Sequence, residues 1–296
     1  TGYSLMRAPW FMCLALLVAA GTGLFAGTAL ADPGPRTAIP ITQAKGTNGR
    51  SYYFITLSVG GSVPFAALLD SGSTGLMLLP GVIGPNDAEE SNRSSTYGYG
   101  SGSQFTAAIA HGVVKIGGLV TGAPVAMRLV KTIACRQNRP GCPAAGHTPA
   151  DFGFAEEGGL GSVTRARIGI SLESSDAANP LAELGSGVWI IALPRPGDAG
   201  PGKLILNPSA EDLAGFTRLH ADAGTLFGCV MNIDTKAQVC GSVLLDTGGN
   251  GLAVEARARP GSFPWANGAA TLLALEDGRG TKTGMTFTLR HVPGAP

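Results

Sequence analysis

Apolar and polar positions alternate in short runs broken by glycine, proline, asparagine and aspartate, a rhythm that predicts strands rather than helices. Ser51 to Val59, rich in aromatic and β-branched residues, is the clearest strand, and Gly60 to Pro64 is its turn. Phe65 to Leu69 is a second strand that runs into Asp70, and Leu76 to Leu79 is a third, ended by Pro80. Alternating strands follow at 105–110 and 111–116 with a turn at Gly117-Gly118, a further strand is expected at 151–155, and Ile168-Gly169-Ile170 precedes a loop. Further strands are predicted at 188–193 and 203–206, in a cysteine-bearing hairpin over 225–233 and 238–246, and at 271–275 and 285–289. The one predicted helix is short, from Asn179 as N-cap with Pro180 at its first position. Residues 84–104 read as polar and turn-forming. They end in Tyr99-Gly100-Ser101-Gly102-Ser103, which is either a flexible loop or a hairpin tip that covers a ligand.

Two similar stretches stand out from this pattern. Leu68-Leu69-Asp70-Ser71-Gly72-Ser73-Thr74-Gly75-Leu76-Met77-Leu78 is matched by Leu244-Leu245-Asp246-Thr247-Gly248-Gly249-Asn250-Gly251-Leu252-Ala253-Val254. In each, an apolar run meets Asp, a hydroxyl residue and Gly, and a second apolar run follows. The flanks read as buried strands and the glycine closes a sharp turn, so each stretch can hold one carboxylate in an apolar setting. Two such turns suggest two related lobes, with a boundary at Gly185-Ser186-Gly187: an N-terminal lobe over 51–185 and a C-terminal lobe over 186–296.

Composition narrows the class. Charged residues make up 14% of the 296 and glycine is abundant at 45, which suits a loop-rich β protein better than a helical bundle. Met6 and Arg7 precede an apolar run from Trp10 to about Ala29, and Ala29-Leu30-Ala31 fits a cleavage site, so residues 1–31 read as a secretory signal. The competing reading is a retained membrane anchor. Residues 1–5 lie upstream of the expected start at Met6, and 32–50, rich in Pro and Gly, read as a leader or linker. Loss of Arg7 with the signal brings the basic residues level with the 20 acidic ones, and no basic cluster remains, so no nucleic-acid partner is expected. Four cysteines then remain, an even number in an exported chain. Cys135 is expected to pair with Cys142, and Cys229 with Cys240 across its hairpin. No metal or cofactor motif is found, and no Gly-x-Ser-x-Gly elbow. Asn92-Arg93-Ser94 is a glycosylation sequon.

Taken together, these residues resemble the pepsin-like aspartic peptidases. The resemblance rests on Asp70-Ser71-Gly72-Ser73-Thr74 after a strand and a turn, then Ser94-Ser95-Thr96-Tyr97 and the flap-like Tyr99-Gly100-Ser101-Gly102-Ser103. It continues through His111 to Gly118, Phe152 to Glu156, Ile168-Gly169-Ile170, Lys203 to Leu206 and Asp246-Thr247-Gly248, covering roughly residues 51–255. It implies an all-β, bilobal pepsin-like fold. Gly249 stands where the family carries a hydroxyl, and no closing apolar-apolar-Gly element or final strand is found, so the second lobe reads as truncated or degenerate.

The resemblance also implies roles. Asp70 and Asp246 would form a catalytic dyad, in which one carboxylate takes a proton from water while the other donates to the peptide carbonyl. Ser71 and Thr247 would cross-brace the turns, Gly72 and Gly248 would shape them, and Ser73 would orient Asp70. Tyr99, Gly100 and Ser101 would close over an extended peptide. The expected product is a secreted or periplasmic, monomeric endopeptidase acting on a peptide or protein, with no membrane span after signal removal. The alternatives are a pepsin-fold protein that binds peptide or carbohydrate without cleaving it, and a structural β protein in which both Asp turns are incidental.

Overall fold

The computed structural model describes residues 34–46, 51–154, 164–185, 187–194, 200–221, 226–249 and 265–289. The expected signal, Ala155 and Glu156, and the apolar run Gly251–Val254 lie outside them. The chain is all-β: the described residues form sixteen strands and one four-residue helix, α1 (Pro180–Glu183). Asn179 caps α1 by accepting a 2.9 Å hydrogen bond from Leu181 N, as the Asn-Pro pair predicts.

The larger sheet begins at β1 (Thr37–Lys45), within the stretch read as a leader. Ile39 and Ile41 are buried on one face of it, an alternation concealed by the surrounding prolines. Pro40 is tolerated because β1 has one partner strand at that point, β12 (Gly202–Leu206); it pairs with β2 (Ser51–Val59) only from Thr42 onward. β11 (Trp189–Ala192) pairs with β12, so the sheet runs across the expected lobe boundary.

β2 turns into β3 (Phe65–Asp70), and β4 (Thr74–Leu78) follows directly. The edge hairpin is β5 (Glu89–Gly98) and β6 (Ser103–Gly112). Residues 89–98, read as polar turns, are therefore a strand. Its side chains are mostly exposed and β6 is its only strand partner among the described residues, so the ladder and not an apolar face defines it. Two short strands, β7 (Val114–Ile116) and β8 (Leu119–Val120), precede β9 (Val125–Cys135). The sequence pattern does not mark β9, whose apolar positions are interrupted by Arg128 and Lys131. β10 (Ala166–Ile170) lies between β3 and β4, parallel to the first and antiparallel to the second. The expected strand at 151–155 is instead a turn from Asp151 to Phe154, whose two phenylalanines point into the core.

Consecutive strand residues face opposite sides, and the core divides accordingly. Leu69, Leu76, Leu78 and Ile168 belong to one apolar cluster, while Leu68, Met77, Phe105, Phe152 and Phe154 belong to the other. Both sides of β3, β4 and β10 are thus buried.

A second sheet has the order β14–β13–β15–β16, with β13 (Leu226–Asn232), β14 (Gln238–Val243), β15 (Ala270–Glu276) and β16 (Lys282–Thr288). It contains the predicted cysteine hairpin. Leu244 and Leu245, expected in a buried strand, are 47% and 56% exposed and lie beyond the end of β14. They lack what buries Leu68 and Leu69: among the described residues no strand of this sheet pairs alongside them. Both expected disulfides are present, Cys135–Cys142 and Cys229–Cys240.

Candidate active site

The Asp70 turn is shaped by the strand inserted beneath it. Between the end of β3 and the start of β4 the chain must cross β10 at Gly169. A Cβ there would sit 2.6 Å from the Ser73 carbonyl carbon and from Thr74 N, so only glycine allows the crossing. Ser171 N donates to Ser73 O at 2.8 Å and pins the turn to β10. This is the physical content of the Ile168-Gly169-Ile170 signal.

Asp70 is 2% exposed, and three donors converge on it. Gly72 N reaches Oδ1 at 2.9 Å, Ser73 Oγ donates to Oδ2, and Arg167 Nη1 lies 3.2 Å from the same Oδ2. Ser73 thus stands where the sequence puts it. Arg167 is absent from the motifs that mark the site. A signal for it does exist: one charged residue inside the apolar strand Ala166 to Ile170 must be paired if it is buried.

Among the described residues Asp246 is held more sparsely. Gly248 N donates to its Oδ1 at 2.7 Å. Where Ser73 supplies a hydroxyl to Asp70, Gly249 has none; a Cβ built there would lie 3.2 Å from Asp246 Oδ2. The residue as a whole is exposed.

The two turns are nevertheless locked together. Ser71 N donates to Thr247 Oγ1 at 3.1 Å and Thr247 N to Ser71 Oγ at 2.9 Å. Ser71 Oγ donates to Leu245 O at 2.6 Å, and Thr247 Oγ1 donates to Leu69 O at 2.8 Å. Each hydroxyl so braces the opposite turn, across 176 residues of sequence, in a two-fold pattern. Gly72 and Gly248 permit the approach. A Cβ on Gly72 would come 2.5 Å from Asp246 Cγ; one on Gly248 would come 2.6 Å from Asp70 Oδ1 and 3.2 Å from Asp246 Oδ1.

This places the carboxyls within hydrogen-bonding reach. Partial desolvation, then the Asp70 charge and the hydrogen bond between the two side chains, push the Asp246 carboxyl up to about 6. Asp70 is the buried member of the pair and Asp246 the exposed one. The site can therefore hold one proton shared between two carboxyls over a mildly acidic range.

The β5–β6 hairpin tip stands beside this pair. Gly102 N donates to Tyr99 O at 3.1 Å, closing the tip. The Tyr99 ring lies over the Arg167 guanidinium, 4.0 Å from ring centroid to carbon, and its hydroxyl approaches Met77 Sδ at 3.7 Å. Gly100 O accepts from Arg139 Nη1 at 2.7 Å, and Ser101 Oγ lies 3.4 Å from Ser103 Oγ. The Cys135–Cys142 loop backs the tip, with Arg136 N donating to Gly102 O at 2.9 Å. Tyr97 packs under Arg128, 4.5 Å from ring centroid to guanidinium carbon; burial, then the Asp70 charge, raise its phenol above the ordinary value.

Arg128, on β9, is 2% exposed and holds this corner together. It donates to Ser95 Oγ at 3.1 Å and Thr74 O at 2.8 Å, and pairs with Asp176. Burial alone would raise the Asp176 carboxyl, but hydrogen bonds from Ser95, Arg128 and Ser175 and the Arg128 charge hold it below the usual range. Cys229 and Cys240 lie within the second sheet, as directly opposed residues of β13 and β14.

No protein-family model matches the chain, and no curated protein matches it. Among solved structures it is similar to an aspartic proteinase from Irpex lacteus, with a TM-score of 0.48 and 12% identity over 73% of this chain. The aligned part spans 64% of that proteinase's length. Function is therefore read from the geometry of the two turns and not from this likeness.

Proposed function

We propose that the chain is an aspartic endopeptidase in which Asp70 and Asp246 activate a water molecule. The reading is carried by the cross-braced pair: two Asp-hydroxyl-Gly turns, far apart in sequence, bring two carboxyls into hydrogen-bonding reach. The unequal donor sets suggest unequal roles. Asp70, with a main-chain amide, a hydroxyl and a guanidinium on it, is the ionised base that takes a proton from water. Asp246, with its carboxyl pushed up to about 6, is the acid that donates to the scissile carbonyl. The water attacks, a tetrahedral diol forms, and its collapse passes the proton to the leaving amine. The substrate is taken beside the hairpin tip as an extended strand. The two disulfides agree with an extracytoplasmic location.

The test is cleavage of a denatured protein below pH 6, blocked by a peptide mimic carrying a tetrahedral hydroxyl, with Asp70→Ala and Asp246→Ala as controls. Activity that survives either substitution at the wild-type rate refutes the mechanism. A second reading, binding of peptide or carbohydrate without cleavage, is favoured by Gly249 and by the exposed Leu244 and Leu245. Tight binding of the mimic with no cleavage between pH 3 and 7 would select it.

A further inference from the structure

Arg167 is the one cation in direct contact with the candidate dyad among the described residues. It sits on β10 between Leu68 of β3 and Met77 of β4, so its Cβ is fixed by pairing on both sides. Only 5% of the residue is exposed. The guanidinium is clamped on three sides: the Asp70 carboxylate at 3.2 Å, the Tyr99 ring at 4.0 Å and the Phe154 ring at 5.2 Å. It meets Asp70 at Oδ2, the oxygen that also accepts from Ser73, and leaves Oδ1, which is on the side of Gly248, free of it. A buried cation in that place is costly unless it is matched, and Asp70, the group the reaction depends on, is one of the groups that match it.

The structure assigns Arg167 to the dyad as a positioning residue: its guanidinium holds the outer oxygen of Asp70 beneath the Tyr99 ring and gives the pair's single negative charge a fixed seat on Asp70. The inference rests on the reading of Asp70 and Asp246 as a working pair. It has two consequences. The singly charged pair, the form that can activate water, persists to lower pH than two carboxyls alone would allow, because an adjacent cation opposes the second protonation. The hairpin tip is also tied to the dyad, since Tyr99 rests on the same guanidinium. Among the described residues the other groups facing this corner are Tyr97 on β5 and the Arg128–Asp176 pair from β9 and the segment after β10. Arg128 is already matched by Asp176, which leaves Arg167 as the cation that answers to the dyad.

The experiment compares full-length wild type, Arg167→Met and Arg167→Lys by pH–rate profile, and by the pH dependence of binding the tetrahedral mimic. With Arg167→Met the acid limb should move up by about one pH unit, with roughly a tenfold fall in kcat at the wild-type acid limb and little change in KM. Arg167→Lys should return the limb most of the way. If Arg167→Met does not fold, Arg167→Gln, uncharged yet able to hydrogen-bond, makes the same comparison. An unchanged acid limb in a folded, uncharged variant overturns the inference, and a lowered Tm alone marks a merely structural ion pair. A wild-type chain that binds the mimic but cleaves nothing still reports the limb through binding. One that neither binds nor cleaves overturns the dyad reading and this inference with it.

Discussion

The two Asp turns share a sequence pattern and a hydrogen-bonded brace, yet they rest on different foundations. Asp70 sits at the end of a strand buried on both faces, with β10 threaded under its turn and three donors on its carboxylate. Asp246 sits beyond the end of β14, after the exposed Leu244 and Leu245, with Gly249 in place of a hydroxyl. Leu69 is fully buried and its counterpart Leu245 is 56% exposed. The brace therefore does more than align equals: among the described residues it ties a turn with few supports of its own to a buried one. Ser71 and Thr247 deliver the second carboxylate to the first from outside its own sheet.

The comparison can be broken most severely at the contact itself. Gly72→Ala or Gly248→Ala would push a methyl into the opposite carboxyl and should cost on the order of 100-fold in kcat, because misplacement of reacting groups by about an ångström has that effect. Steady-state kinetics beside a thermal melt would separate this from unfolding, and a wild-type kcat in either variant would refute the close approach.

The flanks should diverge next. Leu69→Ala removes a buried side chain from the core and should destabilise by about 2–5 kcal/mol. Leu245→Ala, at the matching position, should stay within about 0.5 kcal/mol of wild type. Denaturant titration of both would measure the asymmetry directly, and equal losses would contradict it.

Ser73→Ala leaves a buried carboxylate short of one donor and should cost roughly 1–3 kcal/mol, again by denaturant titration. The complementary change, Gly249→Ser, offers Asp246 the donor it lacks. A hydroxyl that hydrogen-bonds the charged form lowers the pKa, so the basic limb near pH 6 should move down by less than about one unit in the pH–rate profile. An upward shift would show that the serine does not reach the carboxylate.

The smallest effect concerns stability. The Asp246 carboxyl is raised from 3.8 to about 6, so the folded state holds this proton more tightly than the unfolded chain. Its stabilising contribution is full below about pH 4 and is lost as pH rises through about 6. Asp246→Asn should flatten that slope in melts recorded from pH 4 to 7. Because the residue is partly open to water, the change in Tm should be modest.

Much of the molecule was legible in its residues. The strands β2, β3 and β4, both disulfides, the Asn179 cap and the set Asp70, Ser71, Gly72, Ser73, Asp246, Thr247 and Gly248 were all marked by local chemistry. Turn residues, alternation and loop-closing cysteines act over a few neighbours, so they leave a local trace. What stayed hidden depended on partners far along the chain. The first strand was masked because Ile39 and Ile41 alternate among prolines, and it is made a strand by β12, from the other end of the larger sheet's sequence. Glu89 to Gly98 is polar, and only pairing with β6 makes it a strand. Leu244 and Leu245 are as apolar as Leu68 and Leu69, but burial belongs to the neighbours, and here none of the second sheet's described strands pairs alongside them.

Arg167 draws the line most sharply. Residue order alone settles that a charge interrupts an apolar strand, and that two carboxylates each stand at a glycine turn. It does not settle that they meet. The meeting requires β10 to pass between β3 and β4, which carries Arg167 to the outer oxygen of Asp70, and requires Ser71 and Thr247 to exchange hydrogen bonds across the molecule. Charge pairing and close approach are properties of distance, and only the folded chain sets the distances.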